Sequence, residues 1–74
     1  MKYQIIYEVI RDELGDVVDL VNRYELRTQN EVGKWLGATQ SEVSRATIKT
    51  FTKKHVDECS PIKLWGSEYV IIRG

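Results

Sequence analysis

A chain of 74 residues with one cysteine, one histidine and eleven basic against eleven acidic residues has room for one domain and buries only about 60% of the surface its unfolded form exposes. So small a core leaves little material for an enclosed active-site cavity, and a binding module is expected rather than an enzyme, with no catalytic residues and no cofactor. Cys59 has no disulfide partner and, with His55, offers too few soft ligands for a metal site; no run approaches the roughly 20 apolar residues of a membrane span, and no signal-peptide pattern opens the chain, so a soluble cytoplasmic protein without membrane contact is expected.

Residues 2–10 alternate Tyr3, Ile5, Tyr7 and Val9 on one face and are rich in β-branched and aromatic types, which predicts a strand. Asp12 to Asp16 supply turn chemistry, with Gly15 free to take a positive φ. Residues 16–26 carry either period. As a strand they would form a hairpin with residues 2–11, which their valines favour; as a helix, Val17, Leu20, Val21 and Tyr24 make the cleaner stripe, and a helix capped by Asp16 is expected.

Thr28 with Glu31 reads as a capping box that opens a helix with Val32, Trp35 and Leu36 on its buried face and Gly37 as its left-handed stop. Thr39 with Glu42 reads as a second box, opening a helix whose apolar positions Val43, Ala46 or Thr47, Thr50 and Phe51 recur at helical spacing. Two capped helices joined through Gly37 and Ala38 imply a helix-turn-helix corner. The helical pattern fades between Lys53 and Cys59, and Ser60-Pro61 ends it. Residues 62–65 and 68–73 then read as a hairpin turning on Gly66-Ser67, its second strand a partner for the N-terminal one. His55, Asp57, Glu58 and Cys59 read as a loop cluster without catalytic partners. Trp35 reads as core, and Trp65, beside a turn, as partly exposed and fit for an interface. With no linker, repeat or low-complexity tract, residues 1–74 form one α+β domain: three helices around the helix-turn-helix, with a small antiparallel sheet from the N-terminal strand and the C-terminal hairpin.

Charge is unevenly spread. Residues 1–26 hold three basic against six acidic residues, residues 27–54 six against two, and residues 55–74 two against three. Neutral overall charge argues against a protein that coats nucleic acid by bulk electrostatics, but the basic surplus falls on the segment with the two capped helices.

The run TQNEVGKWLGATQSEVSRA, Thr28 to Ala46, resembles the helix-turn-helix of phage repressors and Cro-like bacterial regulators. Val32 and Leu36 match the core of the first helix, Gly33 the small residue at the crossing, Gly37 the turn glycine, Thr39-Gln40-Ser41 the opening of the recognition helix and Val43 its inward anchor. Gly33 stands where alanine is usual, at a cost of about 1 kcal/mol of helix propensity, and Ala46 is smaller than the usual isoleucine or leucine. The likeness is strong over about a quarter of the chain, and the flanking elements match only in order. It implies a sequence-specific regulator of transcription on double-stranded DNA, of phage or mobile-element type. From the geometry of a recognition helix, Gln40, Ser44 and Arg45 are expected at base edges in the major groove, and Arg27, Lys34, Thr39, Ser41 and Lys49 at phosphates. The apolar strand Tyr69, Val70, Ile71 and Ile72, read as an unpaired edge, is expected to form a homodimer. Two other readings keep the fold: a partner protein instead of DNA, as for an antirepressor or host-enzyme inhibitor, or an accessory factor that bends DNA in recombination.

Overall fold

In the computed structural model, which describes residues 3–48 and 53–73 apart from the side chains of Lys53 and Lys54, the alternating N-terminal segment forms strand β1 (Gln4–Arg11). The Asp12 carboxylate organises the turn after it, with Oδ1 accepting from the N–H groups of Leu14 at 3.0 Å and Asp16 at 2.9 Å while Gly15 takes φ 87°. The chain then returns as a second strand, β2 (Val17–Leu26), antiparallel to β1. The helix expected over residues 16–26 is not formed. Two register shifts against β1 leave Val18 and Arg23 as extra residues, and each places like-facing side chains three apart instead of two. Val17 and Leu20 are thereby buried together. The helical stripe in the sequence is a strand pattern with two bulges in it.

Helices α1 (Gln29–Leu36) and α2 (Gln40–Arg45) follow, then a short strand β3 (Thr47–Ile48), helix α3 (Lys53–Glu58), and strands β4 (Ile62–Leu64) and β5 (Ser67–Arg73). The helix expected to run from Thr39 past Thr47 therefore stops at Arg45; Thr50 and Phe51 lie outside the described residues. Helix α3 forms where the helical pattern of the sequence fades. Among its described side chains Val56 alone is buried, and one such anchor leaves no period to read.

The result is an α+β domain dominated by a mixed five-stranded sheet in the order β2-β1-β5-β3, with β4 also on β5. Strand β5 is antiparallel to β1 along one edge; its other edge is filled by β3, parallel at Ile71 and Ile72, and by β4, antiparallel at Ser67 to Tyr69. The free edge required for a dimer through Tyr69, Val70, Ile71 and Ile72 is absent. Both faces of β5 are also covered. Tyr69 and Ile71 join Ile6, Val32, Leu36, Val43 and Ala46 beneath α1 and α2, whereas Val70 joins Val9, Val17, Leu20, Ile48 and Val56 beneath α3. A continuous apolar run is the pattern of a strand buried on both faces, and that accounts for YVII here.

The β4–β5 turn also departs from expectation. Its two loop residues are Trp65 and Gly66, both left-handed at φ 53° and 75°, the signature of a type I′ turn. A Gly66-Ser67 loop would bring Ile62 opposite Ile71, the place that Thr47 of β3 occupies. A left-handed tryptophan costs about 1–2 kcal/mol of backbone energy relative to glycine.

Candidate nucleic-acid interface

The α1–α2 corner begins at Thr28, whose hydroxyl accepts from the Glu31 N–H at 3.2 Å. Val32 and Leu36 are buried, and Gly37 turns left-handed at φ 65° so that the Ala38 N–H donates to the Gly33 carbonyl at 2.8 Å. Thr39 caps α2 with a complete capping box: its N–H donates to Glu42 Oε1 at 3.1 Å and its hydroxyl accepts from the Glu42 N–H at 3.3 Å. The Thr39 N–H first, and second the Thr39 hydroxyl, which donates to the same Oε1 at 3.0 Å, hold the Glu42 carboxyl below its usual range. Because the folded value is depressed, the stabilisation is present above the ordinary carboxylate range and is lost as pH falls through the folded value. Glu42→Gln, which retains an accepting oxygen, is therefore expected to melt with a smaller drop between neutral and acidic pH than the parent, as followed by circular dichroism.

Gly33 sits where the two helices meet. A Cβ built there would lie 2.9 Å from the Ala38 carbonyl oxygen and 3.8 Å from Val43 Cγ2. The corner is thus too tight for a Cβ unless the Ala38 carbonyl shifts, and the alanine usual in the resembled motif would press on backbone. Gly33→Ala gains about 1 kcal/mol of helix propensity but pays an overpacking cost of about 1–3 kcal/mol. A lower melting temperature is the expected sign; a variant at least as stable as the parent would mean that the corner opens without cost.

With Val43 and Ala46 buried against the sheet, the opposite side of α2 faces solvent. Gln40, Ser41, Ser44 and Arg45 are all exposed there and line one shallow depression, with Arg45 Nε donating to the Ser41 carbonyl at 3.3 Å. All three residues expected at base edges are thus brought together. Lys34 lies in the adjoining depression with Gln29, Asn30 and Gln40. Arg27 is exposed on the β2–α1 connection and lines neither depression. Thr39 is committed to its cap, since a phosphate at its hydroxyl or N–H would have to displace the Glu42 carboxylate. Lys49 lies outside the described residues.

Two residues that the sequence did not single out belong to this surface. Asn30 is exposed one turn before Lys34, a position legible only once α1 has a fixed orientation. Lys63, also exposed, shares a groove with Glu42, Arg45, Ser60 and Pro61. The Ser60 N–H donates to the Arg45 carbonyl at 3.1 Å, and this bond seats β4 beside α2, a contact between residues fifteen apart that no local pattern announces.

Other polar groups are tied to the fold. Arg11 pairs with Glu68 at 2.6 Å and Asp57 at 3.3 Å, which fastens α3 to the sheet. Burial pushes the Cys59 thiol up, and its Sγ donates to the Val56 carbonyl at 3.2 Å. Among the described residues no group of three or more histidine, cysteine or acidic side chains is arranged to hold a metal ion, and no helix is long and apolar enough to cross a membrane. Trp35, half-buried rather than core, centres an aromatic cluster, with ring centroids 6.1 Å from Tyr24, 6.1 Å from Trp65 and 5.8 Å from Tyr69.

The chain matches no protein-family model, no curated protein and no solved structure. The chemistry of the α1–α2 surface is therefore read from its own side chains.

Proposed function

We infer that the protein is a sequence-specific, double-stranded-DNA-binding regulator of transcription that lays α2 in the major groove, with the α1–α2 corner acting as a helix-turn-helix. The observation that carries this reading is the two-sided character of α2. Val43 and Ala46 hold it to the core, and Gln40, Ser41, Ser44 and Arg45 present amide, hydroxyl and guanidinium groups together on the other side. Glutamine pairs bidentately with adenine and arginine with guanine, so this combination suits base edges. Lys34 on α1 and Arg27 just before it, both exposed, suit phosphates. The chemistry is binding, not catalysis, and it asks for no cofactor.

Selection of bound sequences from a random duplex pool, followed by a salt titration on the selected site, tests the reading. Binding through several phosphate contacts weakens steeply with salt. A protein partner held by apolar contacts responds far less, and the cluster of Tyr24, Trp35 and Trp65, exposed or half-buried, is the surface that such a partner would use. A recombination accessory factor would bind with the same salt dependence but bend the duplex, which circular-permutation gel shifts detect.

A further inference from the structure

Trp65 is poorly explained by the fold alone. The first position of a type I′ turn favours asparagine, aspartate or glycine, yet a tryptophan holds it at φ 53° with 75% of its surface exposed. Its edge-on contact with Trp35, at 6.1 Å between ring centroids, covers little of the indole. Neither backbone geometry nor packing calls for this residue, and an outlier of that kind points to a use outside the fold.

The surroundings indicate the use. Lys63 lines the groove that holds Arg45 and also a second depression with Arg11, Gly66, Ser67 and Glu68, so it stands between α2 and Gly66 of the hairpin turn, whose other loop residue is Trp65. The two carboxylates that line these depressions are both engaged: Glu42 with Thr39, and Glu68 with Arg11, which lines the second depression beside it, at 2.6 Å. Lys63 is exposed and has no ion-pair partner among the described residues. A cation on β4 and, two residues on in the turn, an exposed flat apolar ring with one N–H donor match a phosphate and the sugar and base edges of a minor groove.

We propose that the β4–β5 hairpin is a second DNA contact, with Lys63 on a phosphate and the Trp65 indole in the minor groove flanking the segment that α2 reads. The assignment rests on α2 as the major-groove element. Trp65→Asn keeps a residue suited to the turn, and should weaken binding to the selected duplex by on the order of tenfold without lowering the melting temperature. Lys63→Ala, an exposed change that leaves the fold intact, should weaken binding to all sequences and reduce the salt slope by about one unit. In a Trp35→Phe background, where Trp65 is the only tryptophan, duplex binding should quench the emission and shield it from acrylamide. If Gln40→Ala weakens binding while Trp65→Asn and Lys63→Ala both bind like the parent, the hairpin contact is wrong and the reading of α2 stands. A parent protein that binds no duplex from the pool overturns both.

Discussion

Replacing Ile71 with alanine is expected to cost about 2–5 kcal/mol of stability and to lower the melting temperature by on the order of 10–30 °C. Ile71 is fully buried, flanked by Ile6 across β1 and Thr47 across β3, and packs under Val32, Leu36, Val43 and Ala46. A chain of this length holds only about 4–11 kcal/mol in total, so this single cavity consumes a large share of it. The Ile71 N–H donates to the Ala46 carbonyl at 2.9 Å, directly after α2, and alanine keeps that bond while removing the side chain beneath the helix. Loss of α2 order should therefore accompany the lower melting temperature. Ile72→Ala provides the comparison, because Ile72 is only half-buried and lies on the opposite face with Val70. Thermal denaturation followed by circular dichroism checks both. A loss below about 1 kcal/mol at Ile71, less than buried isoleucine truncations cost, would show that the helices do not depend on this side of the sheet.

The corner that carries the proposed interface was legible in the sequence because its signals are local. Thr28 with Glu31, Gly37, and Thr39 with Glu42 act within one helical turn: Gly37 is left-handed and Thr39 with Glu42 forms the full capping box, whereas at Thr28 the hydroxyl accepts from the Glu31 N–H and the Glu31 carboxylate accepts from the hydroxyl rather than from the Thr28 N–H. The sheet was less legible, and for identifiable reasons. The extra residues Val18 and Arg23 break the two-residue alternation of β2 and imitate a helical stripe. Strand β3 has only two residues, and its position is fixed by pairing with Ile71 and Ile72 more than twenty places along the chain. The same distant pairing decides that β5 is an interior strand and that the hairpin must turn at Trp65-Gly66. Local chemistry thus locates the caps and the outward side chains, whereas the ends of helices and the status of an edge depend on partners that local chemistry does not name.

Gln40→Ala and Arg45→Ala are each expected to cost about 1–3 kcal/mol of specific DNA binding, between roughly fivefold and 150-fold, and to relax preference at one base position. Stability should stay within about 0.5 kcal/mol of the parent, since both side chains are exposed and neither is packed in the core. The two losses should differ in kind. Arg45 Nε already donates to the Ser41 carbonyl at 3.3 Å, which leaves the terminal nitrogens of the guanidinium as the groups available to a guanine. Gln40 lines the depressions of both helices, so its truncation removes a base contact at the side nearest Lys34. In the double variant the losses should add if each residue reads a separate base pair, and fall short of the sum if both grip one. Affinity for a shuffled duplex provides the control. Base-reading residues change specific binding far more than non-specific binding, whereas phosphate contacts weaken both alike. If the two variants lose equal affinity for selected and shuffled duplexes, Gln40 and Arg45 touch backbone, and base readout must come from elsewhere on α2, with Ser41 and Ser44 as the remaining outward candidates. If neither variant loses affinity for either duplex, α2 is not the DNA-facing helix.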